Sequence, residues 1–232
     1  VLYGRRSGPG LGPAARERLE RLLPVVAIGL PDAGPLAPPT LFEPSRDRIW
    51  LEIGFGGGEH LAWQAQAHPD VGLIGVEPYL DGVARLLKVI ENDRIANLRL
   101  FVDDARLLLD RLVPASCERI FVLFADPWPK RRHWKRRIIN PATVARMAEL
   151  LRDGGELRVA TDDPGYRRWI LASLLADPRL DWIVSGPDDW RRRPPDWPPT
   201  RYEEKAIRAG RRPVFLRFRR RARTDTLASG DD

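Results

Sequence analysis

Ile49-Trp50-Leu51-Glu52-Ile53-Gly54-Phe55-Gly56-Gly57-Gly58 reads as a β-strand that runs straight into a glycine turn, and the segments after it fix its setting. Glu59 to Ala67 has helical spacing, and Gly72 to Val76 is a second apolar strand that ends at Glu77. Strand, glycine turn, helix and strand in that order make parallel strands joined by a right-handed crossover. Glycines at such a turn let the backbone approach a ligand and lead into a helix whose N-terminus faces it. The dinucleotide fingerprint G-x-G-x-x-G would require glycine at position 59, which is Glu59. The spacing present is acid-x-Gly-x-Gly-x-Gly, and an acid ahead of the glycines suits a cationic amino-acid ligand better than a pyrophosphate.

The alternation continues outward. Leu80 to Ile90 has apolar residues at helical spacing, Leu98 to Val102 is a strand, and Ala105 to Leu112 is a short helix. A strand from Arg119 to Phe124 follows, then a helix from Pro141 to Leu151, with Pro141 suited to a first turn and Gly154-Gly155 closing it. Glu156 to Ala160 reads as strand, Pro164 to Leu175 as helix and Trp182 to Val184 as a short strand. A Pro/Trp/Arg loop from Gly186 to Thr200, braced by Trp190 and Trp197, precedes a last strand from Val214 to Phe218. Repeated β-α alternation means an α/β fold with a parallel, doubly wound sheet. Residues 1–45, punctuated by Gly and Pro, read as a tail draped on the domain or partly disordered, with one short helix from Ala14 to Leu23. Within it, Tyr3-Gly4-Arg5-Arg6 is a basic, aromatic stretch able to reach a partner. Residues 46–223 form the domain, and 224–232 a polar, disordered end.

The chain has 232 residues, 39 basic against 32 acidic, and a net charge of +7. That balance favours a polyanion such as nucleic acid. Only four of the basic residues are lysine, so base composition of the gene explains the arginine excess equally well, and clustering must carry the argument. Cys117 is the one cysteine, which excludes an intrachain disulfide and fits a reducing cytosol. His60, His68 and His133 show no metal-ligand spacing, and no apolar run approaches the roughly 18 residues of a membrane span. No signal-peptide pattern is present, so the expected location is cytoplasmic.

Acids end three successive strands. Glu77 lies 25 residues after Glu52, where an acid of an α/β nucleotide site accepts hydrogen bonds from ribose hydroxyls. In Phe101-Val-Asp103-Asp104-Ala105 a side chain and the adjacent backbone can grip an adenine edge; the spacing leaves Asp103 and Asp104 as alternatives, and the Asp-Ala pairing favours Asp104. With the glycine loop, these acids point to an adenosyl ligand. The fourth strand ends in Phe124-Ala-Asp126-Pro127-Trp128-Pro129-Lys130, and six of the eight residues from Lys130 to Arg137 are basic. This places a reactive-centre acid beside a phosphate-binding surface, with Arg217 to Arg223 as a second basic stretch and Trp128, Trp134 and Tyr202 as candidate stacking surfaces.

The acid-and-glycine loop resembles the first motif of S-adenosylmethionine-dependent methyltransferases. The fourth-strand block makes the resemblance narrower: the chain is similar to the tRNA (guanine-N7)-methyltransferase family, bacterial single-subunit type. The matching blocks are Leu51-Glu-Ile-Gly-Phe-Gly56, Gly75-Val-Glu77, Phe124-Ala-Asp-Pro-Trp-Pro-Lys130, Lys135-Arg-Arg137, Ala160-Thr-Asp162 and Thr200-Arg-Tyr-Glu203 with Gly210. They keep their order across about residues 49 to 218.

The resemblance implies a Rossmann-like fold, a mostly parallel seven-stranded sheet with helices on both faces. By it, Glu52, Gly54, Gly56, Glu77, Asp104 and Asp126 bind S-adenosylmethionine, and Asp126 is also catalytic. Lys130, Asp162, Thr200, Arg201, Tyr202 and Glu203 correspond to substrate-binding positions. Arg132, His133, Trp134, Lys135, Arg136 and Arg137 correspond to an RNA-contacting segment. The implied reaction is methylation of guanine N7 in the tRNA variable loop (position 46), by a monomer or homodimer that needs no metal or membrane. Tyr202 stands where many relatives have Phe, and Pro129 where several have His, so no histidine at that position is essential here. Two other readings fit the sequence less well: a methyltransferase for another RNA base or a small molecule, and a noncatalytic RNA-binding protein with a vestigial cofactor site. The basic cluster and the Thr200 block oppose the first, and intact Glu52, Glu77 and Asp126 oppose the second. Glu59, and the lack of any hydride-transfer acid-base pair, disfavour an NAD-dependent oxidoreductase.

Overall fold

The computed structural model describes residues 10–224, and the chain divides into two compact units, Val1–Ser116 and Cys117–Asp232. The Tyr3-Gly4-Arg5-Arg6 stretch and the C-terminal end from 225 lie outside the described residues. Seven strands form one mostly parallel sheet.

In the first unit, β1 (Ile49–Ile53), β2 (Gly72–Val76) and β3 (Leu98–Phe101) are parallel in the order β3-β2-β1, with Leu51 opposite Ile74 and Ile74 opposite Arg99. Every residue of β1 and β2 is buried, as continuous apolar runs require when both faces of a parallel sheet are covered. Between them lies α2 (Glu59–Ala67); α3 (Leu80–Asp93) and α4 (Ala105–Arg111) follow the next strands. α3 turns Val83, Leu86, Leu87 and Ile90 inward at helical spacing, and ends where Arg94 takes a left-handed conformation.

The Gly/Pro-rich stretch from 10 to 45 is packed. Its helix, α1 (Pro13–Val26), runs two residues past an internal Pro24, further than the sequence suggested. Arg18 and Arg21 both pair with Glu91 of α3. Beyond α1 the backbone joins the unit: Ile28 N–H donates to Leu100 O at 2.7 Å and Leu36 N–H to Arg111 O at 2.7 Å. Phe42 fills the space beside Gly72, where a Cβ would come within 2.6 Å of its ring.

In the second unit the order is β4-β5-β7-β6, for β4 (Cys117–Leu123), β5 (Leu151–Thr161), β6 (Leu180–Trp182) and β7 (Val214–Arg220). β4 and β5 are parallel, while β7 runs antiparallel to both β5 and β6. The helices are α5 (Pro141–Leu150), α6 (Pro164–Leu175), α7 (Asp188–Arg191) and α8 (Arg201–Arg208).

Three expectations change here. Gly154-Gly155 does not close α5: Leu151 is already extended, β5 starts there, and the glycines fall in a bulge where the β4–β5 register jumps between Cys117 and Arg119. The short strand sits two residues earlier than read, at 180–182. The loop before Thr200 contains α7, and Thr200 begins α8 as its N-cap, its Oγ1 accepting from Glu203 N–H at 3.2 Å. Trp197 does brace that loop, with its ring buried against Phe121 and Phe215. Next to it the buried Arg158 pairs with Glu156 and Asp196, tying the loop to β5.

Candidate active site

In the first unit the residues expected to meet a ligand lie where β1 and β2 end. Gly56 has φ +58, a left-handed conformation that costs glycine little, and its N–H donates to Glu77 Oε2 at 2.8 Å. Tyr79 N–H holds Oε1 of the same carboxylate at 3.0 Å. Glu77 is thus fixed by two backbone donors. The first turn of α3 presses against the loop: a Cβ on Gly82 would lie 2.0 Å from Gly56 O, so only glycine fits. At Gly54 a Cβ would meet nothing within 4 Å, so the loop borders open space.

Glu52 is buried at the end of β1 and accepts from His60 Nδ1 at 2.7 Å, while Gln64 Nε2 lies 3.1 Å from His60 Nε2. With the Gln64 amide donating to Nε2, Nδ1 carries the proton that reaches Glu52. The sequence shows only that His60 has no metal-ligand spacing and names no partner for it. The signal was its place in the first turn of the helix that follows the glycine loop, facing back toward the strand end.

Of the two acids after β3, Asp104 is buried and caps α4, accepting from Arg106 N–H at 3.0 Å and from the Arg106 guanidinium at 3.0 and 3.1 Å. Its oxygens are engaged within α4. Asp103, half-buried, accepts from Asp104 N–H at 2.7 Å and is the carboxylate of the pair that reaches solvent. Asp104 thus serves as the α4 cap, while Asp103 is the more exposed of the pair.

In the second unit β4 ends in a strained turn. Phe124 (φ 53) and Trp128 (φ 43) take left-handed conformations and bracket Ala125-Asp126-Pro127. Asp126 projects from this turn into solvent, yet enough of the chain surrounds it that desolvation raises its pKa above the usual aspartate value. Beyond it, Arg131–Arg136 form a 3-10 turn. Lys130, Arg132 and Lys135 are exposed, and His133, Trp134 and Arg136 half-buried. Arg136 lies over the Trp128 ring at 4.8 Å, and His133 meets its edge. Desolvation, then the cations Arg136, Arg132, Lys130 and Lys135, lower the pKa of His133. Arg137 departs from expectation: it is buried, its guanidinium enclosed by Trp134, Tyr166 and Trp169.

The other expected positions sit at the ends of β5 and α8. Asp162 pairs with Arg211 at 2.8 Å. Arg201 lies over the ring of Tyr202, which is 41% exposed. These two residues, with Lys205, Arg208 and Ala209, line a cavity of about 630 Å³. Glu203 is buried; its Oε1 accepts from Arg193 Nε at 3.1 Å, and among the described residues its Oε2 is buried without a hydrogen-bond partner. Burial raises its pKa despite Arg193. Among the described residues no group of three or more His, Cys, Asp or Glu is placed to hold a metal ion, and no helix is long and apolar enough to cross a membrane.

A family model described as "Putative methyltransferase" matches residues 46–216. The chain is 51% identical to the tRNA (guanine-N(7)-)-methyltransferase of Rhodospirillum rubrum, over 95% of this chain and 88% of that one. It is 47% identical to the protein of that name from Paramagnetospirillum magneticum (95% and 93% covered) and 45% to that of Chelativorans sp. (94% of each). Among solved structures, the 16S rRNA methyltransferase KamB aligns with TM-score 0.53 and 16% identity, over 76% of this chain and 89% of that one. An rRNA methylase from Streptococcus thermophilus aligns with TM-score 0.52 and 13% identity over the same shares. The likeness to these two is one of fold, the Rossmann-like methyltransferase fold.

Proposed function

This chain belongs to the tRNA (guanine-N7)-methyltransferase family, and we propose that it transfers a methyl group from S-adenosylmethionine to N7 of a guanine in the tRNA variable loop. The observation that supports the guanine assignment is the 45–51% identity to proteins named tRNA (guanine-N(7)-)-methyltransferase, and the exposed ring of Tyr202 lines a cavity with Arg201 and Lys205 where a base could sit. Guanine alone among the standard bases presents two adjacent N–H donors, N1 and N2, on its pairing edge, and Asp162 at the end of β5 is a carboxylate able to accept from that edge. Held by that edge, guanine points N7 the other way. Tyr202 offers its face for stacking, as a base drawn out of folded RNA requires.

The first unit fits the donor. Glu77, pinned by Gly56 and Tyr79, holds a carboxylate where ribose hydroxyls would donate, and Glu52, set by His60, places an acid at the loop for a cationic ligand. Asp103 extends this surface toward an adenine amine. S-adenosylmethionine supplies, when bound, an electrophilic methyl group on a sulfonium.

Guanine N7 carries an in-plane lone pair and no proton, so no side chain acts as a base. The chain's part is alignment, which contributes up to roughly 7–11 kcal/mol to lowering such a barrier. Positive charge appears on the purine as N7 is methylated, and the Asp126 carboxylate stabilises it. Exposed Lys130, Arg132 and Lys135 hold phosphates of the tRNA. A tRNA substrate fits a cytoplasmic place of action.

The test uses methyl-labelled S-adenosylmethionine and two unmodified tRNA transcripts, one with the variable-loop guanine and one with adenine there. N7-methylguanosine in the first alone is the expected result. Label on another nucleoside, or equal labelling of both transcripts, rejects the proposed target.

A further inference from the structure

The last cation of the Lys130–Arg137 run has a different setting from the others. Arg137 is 4% exposed, whereas Lys130, Arg131, Arg132 and Lys135 are open to solvent. Its guanidinium lies 4.8 Å from the Trp134 ring, 5.2 Å from Tyr166 and 4.8 Å from Trp169. Its Nε donates to Pro127 O at 2.8 Å and its Nη2 to Trp128 O at 3.5 Å. Those carbonyls belong to the two residues that follow Asp126.

That turn needs an external hold. Phe124 and Trp128 keep left-handed conformations unfavourable for large side chains, and such strain persists only where the surroundings over-determine it. Pro127 and Pro129 contribute no N–H, so the turn has few donors of its own. A guanidinium suits the task because it stacks flat on rings while its edge donates in a fixed fork; an ammonium does neither.

We infer that Arg137 is a positioning residue for the reaction: it fixes the turn that presents Asp126, and it does not bind RNA phosphate. This rests on the methylation of tRNA proposed above. The inference separates two roles within one basic run, with Lys130, Arg132 and Lys135 facing the polyanion and Arg137 holding the turn from inside.

The test compares Arg137→Lys and Arg137→Gln with Lys135→Ala in the full chain. It measures kcat, KM for S-adenosylmethionine, thermal unfolding, and the slope of log Kd for tRNA against log salt. Both Arg137 variants are expected to lose about 100-fold in kcat, the scale of a misplaced catalytic group. Their KM for S-adenosylmethionine changes much less than kcat, and their salt slope stays that of the wild type. Lys135→Ala is expected to lose roughly 0.7–0.9 of a unit of slope, the share of one phosphate contact. An active Arg137→Lys, or an Arg137→Gln that loses slope as Lys135→Ala does, overturns the inference. So does a loss in which kcat, KM and tRNA affinity all worsen together with the unfolding midpoint. Should neither Arg137 variant unfold cooperatively, Trp169→Phe makes a milder change to the same enclosure. A kcat loss at unchanged slope then supports the inference, and unchanged kcat overturns it. Wild-type protein that forms no N7-methylguanosine removes the functional reading and this inference with it; an active wild type beside an active Arg137→Lys removes the inference alone.

Discussion

Asp126 is charged in the role given to it, and its raised pKa sets where that charge is lost. Because desolvation lifts it above the usual aspartate range of about 3.9, the carboxylate takes up its proton at higher pH than an ordinary surface acid. Turnover is therefore expected to fall on the acid side at a pH above that value. Asp126→Asn should lower kcat about 100-fold while changing KM for S-adenosylmethionine much less, and should abolish the acid limb. Profiles of kcat against pH for both proteins check this; a limb that survives in the variant belongs to Glu203, whose pKa burial also raises. At this scale the sequence disclosed the acids at strand ends, because position along a strand fixes where such a residue emerges. It did not disclose their partners. His60 behind Glu52, Arg193 on Glu203 and Arg211 on Asp162 are pairings made by tertiary approach, and spacing carries no trace of the last two. The burial of Arg137 was hidden for a related reason: a run of cations reads as one solvated stretch until the rings of Trp134, Tyr166 and Trp169 converge on one of them.

Among the elements, α5 is the clearest case of a local signal with a local energy. Asn140 Oδ1 accepts from Ala142 N–H at 3.1 Å and Thr143 N–H at 3.2 Å, while Thr143 Oγ1 accepts from Asn140 N–H at 3.2 Å. Asn140→Ala removes the side-chain half of this box and is expected to cost about 1 kcal/mol, read as a lower denaturant midpoint at unchanged slope. The elements the sequence revealed are those with an apolar face. β1, α2, β2 and α6 match their expected limits, the two strands because they are short continuous apolar runs and the two helices because buried positions recur at helical spacing. α8 was missed because it has almost no such face: only Glu203 and Ala206 are buried, and Ile207 points outward. Its existence rests on the Thr200 cap and on what Glu203 meets inside. The start of β5 was missed because Gly154-Gly155 reads as a helix stop, whereas the sheet uses the pair to absorb a register jump.

For the molecule as a whole, the many arginines make acid the condition to test. Burial by itself would raise Glu156, Asp177 and Asp196, but Arg158 on the first and third and Arg179 on the second bring all three below their usual values. A carboxylate whose pKa is lowered by folding adds stability that is full above its unfolded value and lost as pH falls through the folded one. Asp126 and Glu203, raised by burial, act in the opposite sense and flatten the upper part of the curve. The thermal midpoint is thus expected to hold from about pH 7 to about pH 5 and to drop below about pH 4. A midpoint that climbs steadily with acid would contradict it.

Cys117 is the single cysteine of the chain, fully buried as the first residue of β4. A thiol reacts only when a reagent reaches it, so labelling must wait for that strand to come away from β5. The molecule therefore carries its own clock: the modification rate under native conditions counts openings of the strand whose other end leads to Asp126. Run with and without tRNA, that clock tells whether holding the substrate also stills the strand.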